Sequence, residues 1–187
     1  MKITARIDND FKCLNRYFHK MLDVLNEEVD NTKNAPLIAQ DTDAVDSQMA
    51  FYGFSHFIKP DMIINIYSFL EFWLKIVCNY QKMKNDLSLS YRDIKGNNDL
   101  HCYHKYLTDY VKLNIDSAKI SYDKLDILRE IRNNIIHSGG HVSVDKEKKF
   151  EKIQGLIVAG SLMVFEDDFI FETLEHAKKY LYVAAQA

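Results

Sequence analysis

Leu128-Arg129-Glu130-Ile131-Arg132-Asn133-Asn134-Ile135-Ile136-His137-Ser138-Gly139-Gly140 sorts its apolar and polar residues onto separate sides of one helix. At about 100° per residue, Ile127, Leu128, Ile131 and Ile135 share one face, which is an ordinary core face. Leu125 falls about 60° beyond Leu128, at the border of the next stripe. That second stripe is Arg129, Arg132, Asn133, Ile136 and His137, spaced i, i+3, i+4, i+7, i+8 on one side of the helix. Gly139-Gly140 is the expected kind of helix C-terminus. A fully solvated face would rarely carry Ile136 in its middle, so the stripe calls for an explanation of its own.

The neighbouring sequence is helical on both sides of this run. Ile7, Phe11, Leu14, Phe18, Met21, Leu22, Leu25 and Val29 recur mostly at steps of three and four, predicting one long amphipathic helix over the first 30 residues, with a stop near Pro36. Residues 41–58 are unusually aromatic (Phe51, Tyr52, Phe54, His56, Phe57) and read as one helix or two short ones. Pro60-Asp61 reads as the start of a separate, buried helix with Ile63, Ile66, Tyr67, Leu70, Leu74 and Val77 inward, and Phe72, Trp73 and Ile76 widening its apolar surface. Residues 87–96 read as a connection. Leu100, Tyr103, Leu107, Tyr110 and Val111 have helical spacing, and residues 145–153 suggest a short charged helix. Residues 162–165 and 169–171 are β-like runs on either side of Glu166-Asp167-Asp168, which predicts a small hairpin. Residues 173–185 close the chain as a helix with Leu174, Ala177, Tyr180, Leu181 and Ala184 inward. The expectation is a mostly α fold: a single domain over 1–187, a helical bundle with a small β-hairpin near the C-terminus.

Composition narrows the function classes. A chain of 187 residues with 47% hydrophobic and 27% charged residues has enough apolar material for a real core and little disorder. Six Gly and two Pro argue against a turn-rich β sandwich. No segment approaches the length of an uncharged transmembrane helix, and no apolar signal-peptide run follows the N-terminus, so no membrane partner is expected. Cys13, Cys78 and Cys102 are odd in number and far apart, which fits a reducing cytoplasmic location without disulfides. A net charge of −3 argues against coating of nucleic acid by bulk charge, though not against a local nucleic-acid site.

The stripe suits phosphodiester chemistry. Arg presents a planar, permanently charged fork that matches phosphate oxygens. His titrates near neutrality and can act as general acid or base. Asn133 can orient either partner or a ribose hydroxyl. The Gly-Gly exit is expected to let a substrate backbone approach. The plain alternative is that Arg and His near a helix C-terminus complement its dipole and do nothing else.

Arg132-Asn133-x-x-x-His137 resembles the signature of the HEPN superfamily, in which an Arg, commonly followed by a polar residue, precedes a His by a few positions. The flanking 127–131 and 138–140 segments are similar too, as is Ser68-Phe69-Leu70-Glu71-Phe72-Trp73-Leu74-Lys75, which looks like the family's earlier helix with an inward polar residue. The resemblance fits the helix order of the whole chain, while its motifs cover about 20 residues. It implies a bundle of four to five main helices, usually a homodimer. Many members are metal-independent endoribonucleases, often toxins paired with an antitoxin protein or antiviral defence factors; others are inactive binding or adaptor modules. The implied partner is RNA and no cofactor is implied. A ribose 2′-OH attacks the adjacent phosphate, leaving a 2′,3′-cyclic phosphate and a 5′-OH. On this chain His137 would move protons, Arg132 would neutralise the phosphorane and Asn133 would position, with Arg129, Glu71 and Ser138 as substrate-binding candidates.

Other features carry less. Glu71 faces either Arg132 and His137 or, as an i,i+4 pair, Lys75. Tyr67 and Trp73 read as core residues ahead of base-stacking platforms. His101-Cys102-x-His104 does not converge as a metal site on a helix. The aromatic run 51–57 reads as a hydrophobic anchor ahead of a stacking surface. Lys146, Lys148, Lys149 and Lys152 could touch an RNA backbone, but Asp145, Glu147 and Glu151 interleave with them, which reads as a solvated helix first.

Overall fold

Ile7, Phe11, Phe18, Leu22 and Leu25 are buried along one face of helix α1 (Ile3–Asn34), as their spacing requires. The computed structural model describes residues 2–34 and 42–186, with the backbone alone for 28–34 and 42–55. The stop at Pro36 and the side chains of Val29, Phe51, Tyr52 and Phe54 lie outside the described residues. Phe57, at the end of the aromatic run, is exposed.

Helix α2 (Thr42–Lys84) corrects the sequence reading, because Pro60 lies inside it rather than opening a new helix. Proline removes one backbone donor, but the rest of a long, packed helix can carry that local loss. Lys59, just before it, donates to the Phe165 carbonyl at 3.0 Å and pairs with Asp167 at 2.8 Å, so the segment is held from outside. Ile63, Ile66, Tyr67, Leu70, Trp73, Leu74 and Val77 are all buried, whereas Phe72 is half exposed.

Helix α3 (Asp99–Lys105) starts at Asn98, whose side chain accepts from the His101 amide at 2.8 Å, and continues as a π-helical turn over Tyr106–Tyr110. Helices α4 (Lys119–Ser138) and α5 (Val144–Phe150) follow. Strands β1 (Leu156–Ala159) and β2 (Leu162–Phe165) then pair antiparallel, Leu156 opposite Phe165 and Ala159 opposite Leu162. The chain closes with α6 (Asp167–Gln186). The hairpin was expected from 162–165 pairing with 169–171. Its first strand instead precedes residue 162, and Phe169, Ile170 and Phe171 belong to α6. Asp167 and Asp168 start that helix, where carboxylates suit the positive dipole end, instead of forming a turn.

Helices α2 and α6 pack on each other, and both pack against α1 and α4. Leu174, Ala177, Tyr180, Leu181 and Ala184 of α6 are buried as expected. No helix among the described residues is long and apolar enough to cross a membrane. The fold is therefore a mostly α bundle with a two-stranded hairpin, and α4 is the helix that carries the mixed stripe.

Candidate functional site

Leu125, Leu128, Ile131 and Ile135 bury the core face of α4; Leu125 belongs fully to it, although its angle put it at the border. On the other side Arg129, Arg132 and Asn133 are half-buried, while Ile136, His137 and Ser138 are exposed. The helix ends at Gly139, with φ of 59°, and its amide donates back to the Asn134 carbonyl. A Cβ at Gly139 would meet nothing within 4 Å. The left-handed backbone is what calls for glycine here, and the space beside it is open.

The exit from α4 is fixed in place. The Met163 amide donates to the Gly140 carbonyl at 3.0 Å, and the Val142 amide to the Ser161 carbonyl at 2.6 Å. Asn134 Nδ2 donates to the His141 carbonyl at 3.0 Å, and its Oδ1 is buried without a partner among the described residues. Phe150 is buried and anchors α5. These contacts set α5 across from the last three turns of α4 and leave a cleft of about 450 Å³ between them.

The cleft gathers most of the sequence-derived set. Arg129, Asn133, His137 and Ser138 line it, joined by Glu130 and Asn134 of α4 and by Lys146, Lys149 and Phe150 of α5. Arg129 Nε donates to Asp126 at 2.8 Å, and its Nη2 lies 3.8 Å from Glu130 Oε1. The other oxygen of Glu130 accepts from Lys149 Nζ. Lys146 makes no ion pair among the described residues, and the His137 imidazole makes no hydrogen bond among them.

Arg132 and Glu71 are placed differently. The Arg132 guanidinium lies over the Tyr67 ring, 5.4 Å from its centroid, on the α2 side. Its Nη1 donates to Asn133 Oδ1 at 3.0 Å, while its Nε is buried with no partner among the described residues. Arg132 is therefore linked to the cleft through Asn133 and does not line it. Burial raises the Glu71 carboxyl above its ordinary range, and the opposing attractions of Lys75 and Arg132 do not cancel that. Glu71 makes no salt bridge among the described residues, so neither pairing considered for it closes. Burial also raises the Tyr67 phenol, with nearby Glu71 adding to the effect. His104, from the discounted metal triplet, stacks on Tyr122 at 3.9 Å and shares a 2.8 Å hydrogen bond with the Tyr180 hydroxyl; burial lowers its pKa.

Glu130 carried no signal of its own in the sequence, whereas Lys146 and Lys149 stood among the lysines of a charged helix and take the cleft side of it. The signal for the two lysines was their i,i+3 spacing on a short helix that follows the stripe and ends in the apolar Phe150. No protein-family model, curated protein or solved structure matches the chain.

Proposed function

We propose that this chain is a metal-independent endoribonuclease of the HEPN type, acting in the cytoplasm in a toxin–antitoxin or antiviral defence role. The observation that carries the reading is the joining of Asn133, His137, Ser138 and Arg129 in one cleft with two lysines opposite. A polyanionic strand needs cations along its path and a titratable group at the reacting phosphate, and this set contains both.

The reaction is internal. The ribose 2′-oxygen attacks the adjacent phosphorus, its proton passing to a base. The bond to the 5′-oxygen breaks, and an acid protonates that leaving group. The products are a 2′,3′-cyclic phosphate and a 5′-OH. His137 moves one of these protons, and the His137 of a second copy, across a two-fold axis beside the stripe, moves the other. Asn133 orients the ribose or phosphate. Arg132, on leaving Tyr67, neutralises the phosphorane.

A second reading has an observation of its own. Arg132 rests on Tyr67 and Asn133, off the cleft, which suits a module that binds a nucleotide or a partner without cutting. Incubation of the protein with a mixed RNA pool in excess chelator separates the two. Cleavage with cyclic-phosphate ends supports the nuclease. Binding without cleavage supports the module. Cleavage that needs a divalent metal or leaves 5′-phosphates overturns the mechanism.

A further inference from the structure

Glu130 occupies a telling position in the cleft. One carboxylate oxygen is held by Lys149 Nζ on α5, and the other lies 3.8 Å from Arg129 Nη2 on α4. A single anionic group with two terminal oxygens thus sits between two cations that come from opposite walls. A phosphodiester has the same outline: one negative charge shared by two non-bridging oxygens. Lys146, one helical turn before Lys149, lines the same cleft and makes no ion pair among the described residues.

We propose that Lys146, Lys149 and Arg129 form a second phosphate subsite, beside the reacting position at Asn133 and His137, and that the Glu130 carboxylate holds it until an RNA backbone phosphate takes its place. This rests on the reading of the cleft as an RNA site. It adds the residues that hold the neighbouring nucleotide.

The energetics favour exchange. Lys149 and Glu130 have side-chain exposures of 55% and 34%, and exposed ion pairs add little to stability. Displacing the carboxylate therefore costs little, while each phosphate neutralised by the chain releases condensed counterions. Charge bears on how a chain of net charge −3 could hold RNA: three cations line this cleft against Glu130 inside it and Asp126, which holds Arg129 from its edge, so the local balance stays positive while the global one is negative. Glu130 then tunes the strength of binding, since it competes with phosphate for Lys149 directly and for Arg129 at longer range.

The test measures affinity for a fluorescent 2′-O-methyl oligoribonucleotide, which cannot react, across a series of salt concentrations. Replacing Lys146 by Gln (Lys146→Gln) should remove about 0.7 from the slope of log affinity against log salt, the share of one single-strand phosphate contact. At about 0.1 M salt that corresponds to binding about fivefold weaker. Glu130→Gln should tighten binding and steepen the slope, an outcome that misfolding does not produce. Lys148→Gln, on the same helix but outside the cleft, should change neither.

An unchanged slope for Lys146→Gln, or weaker binding by Glu130→Gln, overturns the subsite. A wild-type chain that shows these slopes yet never cuts ordinary RNA supports the subsite and overturns the nuclease. A wild-type chain that cuts RNA while Lys146→Gln keeps the full slope does the reverse.

Discussion

Glu71 is a carboxyl that folding places in a partly dry setting next to two cations without bonding it to either. Its folded pKa is raised, so the folded state binds its proton more tightly than the unfolded chain does. The sign follows: Glu71 favours folding most below its unfolded value, near 4.5, and that contribution is lost as pH rises through the folded value. Glu71→Gln should therefore melt above wild type at pH 7 and converge with it below about pH 4. A variant that melts lower at pH 7 would mean that attraction to Arg132 outweighs burial. Residue identity on a helical wheel gives the face but not the direction of a long side chain. Arg132 and Asn133 are neighbours in the stripe, yet the guanidinium has a Tyr67 ring on one side and a cleft on the other, and it takes the ring. Tyr67 comes from a distant part of the chain, so no local pattern could foretell that choice. Glu130 and Lys149 were hidden for the same reason: their contact spans two helices joined by an irregular turn.

At the scale of elements, apolar periodicity placed the inward faces of α1, α2, α4 and α6, because a stripe that repeats every three or four residues has only one dry side to turn to. Leu70 and Ile131 are both wholly buried. Leu70→Ala and Ile131→Ala should each cost about 2–5 kcal/mol in denaturant unfolding. A loss below about 1 kcal/mol at both would contradict the packing. The errors lay where a local signal met a tertiary contact. Pro60 normally begins or breaks a helix, but here α2 runs through it, with Lys59 tied to Phe165 and Asp167 and with Ile58, Met62 and Ile63 buried beside it. Phe169-Ile170-Phe171 has strand-like composition, and burial of Phe169 and Ile170 against the bundle makes it helical. Gly139 was legible as a helix stop, and its positive φ supplies the reason. The consequence for the site is direct. The exit from α4, tied to the hairpin through Gly140 and Val142, brings α5 to the stripe and turns a helix face into a cleft.

For the whole molecule, the question is what covers the outer side of α4. Ile136 is 45% exposed beside His137, an aliphatic group on an otherwise polar strip. Apposition of two copies about a two-fold axis there would bury it and bring two His137 side chains to one groove, supplying an acid and a base together. Light scattering at micromolar concentration should find a dimer, and Ile136→Glu should dissociate it, because an unpaired charge is costly at a buried centre. A strict monomer, unchanged by added RNA, or a variant dimer as stable as wild type, would defeat this arrangement. The dimer, in turn, matters only if the cleft performs chemistry. The most direct measurement of that compares wild type with His137→Ala on ordinary RNA in excess chelator, reading the new termini. The wild type should leave 2′,3′-cyclic phosphate and 5′-OH ends, and His137→Ala should not cleave, at an unchanged melting temperature. Equal cleavage by the two proteins, or wild-type products bearing 5′-phosphates, would contradict the mechanism.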